Sequence, residues 1–400
     1  MSEAESRVHD VIVVGGGPAG LAACALLIAR GVTPAVIPGR SRAPLPDPAH
    51  DPRTTALMQG SLAILGKIGL WPEPLQDRSA PLWKLRLVDQ TARLIEAPAV
   101  TFQSRELGEE PFGWNIPNAA LASALDGIIS QYVTERYEGA NVAWAKPGAD
   151  FITLNLDDGR KVRARAVIAA DGAGSVCRSS VGIKTYGHDY PQHTIAVSFD
   201  HEHPHYDQST ERHFRGGPLT TVPLPGNASA AVWMDEPATI GRLMKLDDRE
   251  FIRELELRVA DELGRITKLG PRRSFPARSM VARQFAAKRV YLVGEAGHVL
   301  PPIGAQGLNL GFRDAEHVST IIGDAVAFGD DPGADALTAE YDRKRRGDVV
   351  PRAVGIDLMN RSLLSSLLPA QAAWATAISA LSAFGPLRRA VMREGIGAHR

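Results

Sequence analysis

The feature that most restricts how this chain can fold lies near its start. Val11-Ile12-Val13-Val14 runs into Gly15-Gly16-Gly17-Pro18-Ala19-Gly20, and Leu21 to Arg30 follows with helical composition. A continuous apolar run suits a strand buried on both faces, which points to a parallel sheet covered by helices. The glycines satisfy the spacing GxGxxG with a strand before and a helix after, the context that a dinucleotide-binding turn requires. Gly15 permits the turn, Gly17 lets the backbone approach a pyrophosphate, and Gly20 lets the helix sit close to the sheet. The helix N-terminus offers free N–H groups and the positive end of its dipole to the phosphates. Gly15, Gly17, Pro18, Ala19 and Gly20 are therefore candidate cofactor residues.

One element of the motif is absent. An acidic residue about 20 positions on should bind the ribose. Thr33 to Ile37 forms the second strand, and Pro38-Gly39 stands where the acid would be, followed by Arg40 and Arg42. Taken alone, this substitution suggests a 2′-phosphate and hence NADP.

Two further glycine motifs follow strand-like runs. Ala164 to Ala170 ends in Asp171-Gly172-Ala173-Gly174-Ser175-Val176-Cys177-Arg178, where Asp-Gly makes a tight turn and Ser175 can cap a helix. By itself this is an ordinary turn. Arg289 to Val293 leads into Gly294-Glu295-Ala296-Gly297-His298 and then Pro301-Pro302-Ile303-Gly304-Ala305-Gln306-Gly307-Leu308-Asn309. The two prolines forbid helix, and a helix starting near Gln306 would aim its N–H groups at a ligand carrying negative charge.

The three motifs, in this order, resemble those of the single-component FAD-dependent aromatic hydroxylases, the p-hydroxybenzoate hydroxylase-like flavoprotein monooxygenases. Further stretches are similar to the ubiquinone-biosynthesis branch: Arg53 to Leu57, Ser61 to Trp71, Asn118 to Leu121, Phe214 to Leu224, and Gly385 to Gly395. The resemblance implies FAD rather than NADP as resident cofactor. Gly15, Gly17, Pro18, Ala19 and Gly20 would hold its pyrophosphate. Asp171, Ser175 and Arg178 would serve FAD and a pyridine nucleotide. Gly294, Glu295, Pro302, Gly304, Ala305, Gln306, Gly307, Leu308 and Asn309 would hold the ribityl chain and ring, with Arg53 and Asn118 as further contacts. The chain departs from the family at Pro38, at Glu295 in place of an aspartate, and at Gly297 in place of an alanine.

The implied fold class is α/β: a Rossmann-like FAD-binding domain (1–75, 98–185 and 276–355), an interleaved, mainly antiparallel β-sheet substrate domain (76–97 and 186–275), and C-terminal helices (356–400). The 400 residues suffice for two to three domains. The implied reaction is monooxygenation of a phenolic ring through a flavin hydroperoxide. Electrons would come from NAD(P)H or ferredoxin, and dioxygen would be the co-substrate. A polyprenylated phenol is the substrate of the ubiquinone branch. Pro302 would stiffen the backbone at the oxygen site, and no general base is assignable. A soluble aromatic or alkene substrate stays open, as does a non-catalytic flavin-binding accessory protein, for which the missing acid is the motive.

Lysine plus arginine and aspartate plus glutamate both number 45, so the formal charge is zero and a nucleic-acid partner is not expected. Two cysteines, Cys24 and Cys177, provide neither a disulfide framework nor a CxxC. The start of the chain lacks a basic n-region, so a cytoplasmic location is expected. Two charge-free stretches, Val11 to Ala29 and Ser362 to Leu387, are broken by glycine and proline and suit strand–turn–helix and docked helices better than a membrane span. His201-Glu202-His203-Pro204-His205 is a possible three-imidazole metal set, but the resemblance favours a polar strand-to-loop segment, and no metal is expected. His298 is expected to be structural. From Arg343 to Arg400 ten basic residues face three acids, 10 − 3 = +7. Trp374, Ile378 and Leu381 form a helical apolar stripe there. Either the stripe packs internally, or this basic tail contacts a membrane at its inner face or a partner of the biosynthetic complex.

Overall fold

The strand Val8–Val14 pairs in parallel with Ala35–Ile37 on one side and Lys161–Ala169 on the other, and Val290–Leu292 extends the sheet beyond Lys161–Ala169. Successive side chains of a strand point to opposite faces. Val11 and Val13 accordingly join one core cluster, and Ile12 and Val14 join another. This is why the run is apolar without alternation. The computed structural model describes residues 7–39, 51–92, 96–108, 110–133, 135–364 and 368–396. Arg40, Arg42 and most of the proline-rich loop that begins at Pro38 lie outside them.

The first face of this sheet is covered by the helix Pro18–Ala29, buried from Gly20 to Leu27. That helix packs in turn on the helices Asn118–Tyr132 and Gln306–Phe328. The second face is covered by the antiparallel pair Val142–Pro147 and Ile152–Leu156, joined to Lys161–Ala169, and by the short helix Val176–Ser180.

A second sheet of eight strands runs in the order His298–Val299, Ile266–Ala282, Thr185–His201, Ala228–Asp235, Pro218–Leu224, Gln208–His213, Lys84–Asp89, Val100–Gln103. All of its pairings are antiparallel except Gln208–His213 with Lys84–Asp89. Val100–Gln103, expected on the nucleotide side, is its edge strand. Ile195, Val197, Phe199, Leu219, Ala231 and Trp233 face the helices Pro237–Leu243 and Asp248–Leu263. On the opposite face, Thr220, Val222 and Val232 line a cavity with residues of the 300–308 segment. A small sheet of Thr54–Met58, Gly113–Pro117 and Ala80–Pro81 stands between the two bodies.

The chain ends in the helices Asp335–Leu364, Leu368–Ala383 and Gly385–Ile396. Among the described residues no helix is long and apolar enough to cross a membrane.

Candidate cofactor and substrate site

The first glycine motif opens onto a cavity of about 480 Å³ lined by Gly15, Gly16, Gly17, Pro38, Gly39, Asn141, Asp171, Gly172 and Gly174 among others. Gly15 has φ +116°, a conformation that L side chains rarely adopt, and a Cβ there would lie 2.1 Å from the Ala170 carbonyl oxygen. A Cβ on Gly17 would meet nothing within 4 Å, so the space in front of it is open. The helix Pro18–Ala29 has no side-chain cap at this end. Open space, close backbone and an uncapped helix N-terminus together fit a diphosphate. Pro38 and Gly39 occupy the place of the absent acid. Asn141 stands beside them, its Nδ2 donating to Asp157 at 3.0 Å.

The Asp-Gly motif is braced internally. The Ser175 hydroxyl donates to Asp171 at 2.6 Å, and the Cys177 N–H donates to the other Asp171 oxygen at 3.1 Å. Ser175 also caps its helix by accepting from the Arg178 N–H at 3.0 Å. The Arg178 guanidinium donates to the carbonyls of Ala173 and Ala296, at 2.8 and 2.7 Å. Arg178 thus ties the second motif to the third, and these three side chains spend their bonds on protein. Burial pushes the Cys24 thiol up to about 12 and the Cys177 thiol well above its ordinary value, so both are inert packing groups.

The third motif forms a cavity of about 350 Å³ against the second sheet. One wall is Leu300, Pro301, Pro302 and Gly304 to Leu308, with Thr54, Thr55, Ala56 and Met58; the other includes Leu85, Leu87, Ser209, Glu211, Thr220, Val222 and Val232. Pro302 is exposed at its mouth. The helix Gln306–Phe328 begins here without a side-chain cap, and its N-cap Ala305 holds a left-handed φ of 53°. A non-glycine residue there marks a constrained turn. Asn309 is fully engaged: its Oδ1 accepts from the Met58 N–H and the Ser61 hydroxyl, and its Nδ2 donates to the carbonyls of Ala56 and Ala305. Asn118 accepts from the Thr55 hydroxyl at 2.6 Å. Asn309 therefore shapes the wall rather than presenting a free amide, whereas for Asn118, among the described residues, only the amide oxygen is engaged.

Arg53 is held by a residue that its motif did not indicate. Asp51, whose side chain is fully buried, accepts from Arg53 Nε at 2.8 Å and Nη2 at 2.9 Å. Burial pushes the Asp51 carboxyl up, but the Arg53 hydrogen bonds outweigh it, and the net shift is downward. Glu295 is exposed and close enough to raise the Arg53 pKa further. The spacing Asp-x-Arg was the only sequence signal for Asp51.

Beneath the third motif lies a buried charge network that sequence reading missed entirely. Asp314 accepts from His298 Nε2 at 2.7 Å, from the Gly294 N–H at 2.9 Å and from Arg345 Nε at 2.5 Å. Arg345 donates on to Asp348 at 2.9 Å. Burial raises the Asp314 carboxyl, yet Arg345 and His298 outweigh it and hold it below the usual range. His298 is thus the expected structural histidine, anchored by a carboxylate 16 residues away. Gly297 is explained by packing: a Cβ there would lie 3.1 Å from the Phe285 ring, which fills the space an alanine would take.

The histidine run spends its imidazoles locally. His201 bonds the His203 carbonyl and the Ser229 hydroxyl, and His205 bonds the Leu224 carbonyl and the Asp207 N–H. Among the described residues no group of three His, Cys, Asp or Glu is arranged to hold a metal.

In the tail, Ile378 is buried and Leu381 half-buried against Leu82, Val100 and Phe102, so this part of the stripe faces inward; the Trp374 side chain lies outside the described set. Several of the tail cations are neutralised within the protein, with Arg345, Arg346, Arg352, Arg361 and Arg388 each paired to a carboxylate.

The model of the FAD binding domain family matches residues 8–102 and 120–354. Ubiquinone hydroxylase UbiL of Rhodospirillum rubrum is 32% identical over 394 residues, covering 98% of this chain and 90% of that protein. The 3-demethoxyubiquinol 3-hydroxylase of Escherichia coli is 28% identical, covering 97% and 98%. Among solved structures, p-nitrophenol 4-monooxygenase PnpA of Pseudomonas putida superposes with a TM-score of 0.78 at 19% identity, covering 98% and 99% of the two chains. Klebsiella pneumoniae HpxO, complexed with FAD and uric acid, superposes with a TM-score of 0.74 at 17% identity, covering 97% and 96%. The chain belongs to the FAD binding domain family and, within it, to the FAD-dependent monooxygenases.

Proposed function

We propose that this protein hydroxylates the ring of a polyprenylated phenol, as a step of ubiquinone biosynthesis. Dioxygen is the co-substrate, and NAD(P)H or a reduced ferredoxin is the electron donor. The observation that carries this reading is the cavity between the Pro301–Leu308 segment and the second sheet. Its apolar residues Met58, Leu82, Leu85, Leu87 and Val222 belong to the same cluster as Ala375, Ile378, Leu381 and Met392 of the last two helices. A ring at the mouth and an isoprenoid chain along this apolar seam suit it better than a small soluble aromatic does.

In this reading Gly15, Gly17, Pro18, Ala19 and Gly20 hold the pyrophosphate, and the N–H groups after Ala305 meet the ring. Bound FAD supplies the redox and oxygen chemistry. The protein orients the substrate ring, and its apolar walls exclude water. Segments 1–75, 98–185 and 276–355 form the cofactor side apart from Val100–Gln103, the end of Ile266–Ala282 and His298–Val299, which belong to the second sheet on the substrate side. The test is direct. Purified protein should show a visible flavin spectrum and, with NADH, NADPH or reduced ferredoxin, convert ortho-geranylphenol to a product heavier by one oxygen atom. Electron consumption that does not depend on the phenol, with no product of that mass, would sink the reading.

A surface contact belongs to the same reading, on a different face from the expected stripe. Phe384, just before the last helix, and Leu387 and Val391 on it are 58%, 42% and 46% exposed. Arg389 and Arg393 stand on that helix, and among the described residues neither forms an ion pair like those of Arg352, Arg361 and Arg388. Apolar residues flanked by cations suit an anionic lipid surface, which is where a polyprenylated substrate resides. Changing Phe384, Leu387 and Val391 to serine should abolish co-sedimentation with anionic vesicles and leave turnover of ortho-geranylphenol in detergent unchanged. Undiminished vesicle binding would remove this contact from the proposal.

A further inference from the structure

The substrate wall of the cavity is built from three neighbouring strands, and their register decides which side chains meet there. Glu211 pairs across from Thr220 on one side and Leu87 on the other. Two residues along, Ser209 stands beside Leu85, and Val222 lines the same face. Residues two apart on a strand share a face, so one polar row crosses an apolar wall. Glu211 and Arg86 are the charged residues lining this cavity. The Arg86 guanidinium is engaged by Glu262 at 2.5 Å.

Glu211 is held in place. Its Oε1 accepts from His213 Nε2 at 2.7 Å, and its Oε2 accepts from the Thr220 hydroxyl at 3.3 Å. Its side chain is 11% exposed, and that of His213 is 3% exposed. Asp89 lies in register beside His213 on the adjacent strand. A carboxylate offers about four lone-pair sites, so two hydrogen bonds leave acceptor capacity toward the cavity. A buried, oriented carboxylate in this largely apolar wall is costly to keep unless it has a task.

We propose that Glu211 binds the phenolic hydroxyl of the substrate and accepts its proton, with His213 as the residue that positions it. This rests on the hydroxylase reading above. In the step, the phenol O–H bond breaks, the proton passes to a Glu211 carboxylate oxygen, and the bonding pair stays on the phenolate oxygen. The phenolate feeds electron density into the ring carbon that is to be oxygenated. Glu211 becomes neutral and keeps its hydrogen bond to His213 if that imidazole donates from Nε2. The other charged groups near this row are Asp89 behind His213 and the Arg86–Glu262 pair.

General base catalysis contributes roughly 10²- to 10⁴-fold. In the FAD-loaded protein, Glu211→Gln should therefore lower kcat for ortho-geranylphenol at pH 7 by about 100-fold or more. The loss should shrink as pH approaches the phenol's own pKa of about 10, where the substrate ionises unaided. A merely structural role would not produce that change in pH profile. Glu211→Asp, which keeps the charge but shortens the reach, should lose less and retain the wild-type profile. Flavin absorbance and thermal midpoint certify the fold of each variant. If Glu211→Gln fails to fold, Glu211→Asp together with His213→Phe decides the matter, and wild-type rates in both overturn the proposal. Wild-type turnover and an unchanged pH profile in Glu211→Gln would also overturn it, leaving the hydroxylase reading intact. A wild-type protein that binds FAD but oxygenates no phenol overturns both.

Discussion

Replacing Asp314 by alanine is expected to destabilise the protein by about 3–5 kcal/mol, the cost of leaving one member of a buried ion pair alone. The side chains of Asp314 and Arg345 are both fully buried, and Asp314 takes three donors: Arg345 Nε, His298 Nε2 and the Gly294 N–H. With the carboxylate gone, the guanidinium keeps only Asp348 as its anion, and its Nη2 already has no partner. The Gly294 turn also loses its anchor, so FAD retention should fall together with stability. Against a typical stability of about 5–15 kcal/mol this is a large fraction. The pH dependence has a definite sign. Asp314 and Asp348 both sit below their ordinary values. For each, burial opposes ionisation but the neighbouring arginines outweigh it, and Asp348 falls to about 2. Such groups contribute stability that is present above the unfolded carboxyl value of about 3.9 and lost as pH falls through the folded value. The wild type should therefore lose stability from about pH 4 downward. The Asp314→Ala variant should begin lower and fall less steeply. Thermal melts at pH 7, 5 and 3 measure both effects, and a midpoint within about 2 °C of wild type at pH 7 would contradict the account.

The second large effect is expected at Gly15. Alanine there must adopt φ +116° and place its Cβ 2.1 Å from the Ala170 oxygen. The backbone conformation costs about 1–3 kcal/mol and the overlap about 1–3 kcal/mol more. Relief requires moving the Ala170 carbonyl, which ends the strand Lys161–Ala169 and begins the Asp171-Gly172 turn. One methyl group therefore disturbs two motifs, and FAD affinity should drop by about 100-fold or more, as roughly 3 kcal/mol implies. Gly17→Ala is the informative control. Nothing lies within 4 Å of its Cβ, so the apoprotein should melt like wild type. Its FAD affinity should nevertheless fall if the pyrophosphate approaches that backbone. Flavin fluorescence titration and apoprotein melting separate the two. Gly15→Ala with undiminished affinity would remove the first motif from the cofactor site.

What was legible in the sequence was local. The run Val11–Val14, the glycine spacing after it, the prolines at 301 and 302 and the helix start at Gln306 each depend on residues a few positions apart. Backbone freedom, proline sterics and strand patterning act at that range. The alternation in Thr194 to Phe199 suits a strand of the mainly antiparallel second sheet, whereas nothing local marks its edge strand Val100–Gln103. That strand carries too few residues for a pattern, and its place depends on pairing with Lys84–Asp89.

The tail shows the limit from the other side. Ile378 and Phe384 are both apolar residues of the C-terminal tail, and nothing in the local sequence distinguishes them. Ile378 is buried on Phe102 and its neighbours, whereas Phe384 faces outward. The difference lies in residues almost 300 positions away. Similarly, the run of tail arginines suggested a basic surface, but partners such as Glu106 and Asp314 neutralise several of them.

The sequence by itself determined where the chain turns and where the helix after its first glycine motif begins, because these follow from short-range sterics. Only the tertiary structure decided which charges are buried and which carboxylate stands in the cavity wall formed by the second sheet. Asp314, Arg345 and His298 meet across 47 residues, and Glu211 reaches the cavity by the register of strands that begin 124 positions apart. Electrostatic partners in a dry interior are chosen by folding, since burial makes pairing compulsory without dictating where in the chain the partner sits.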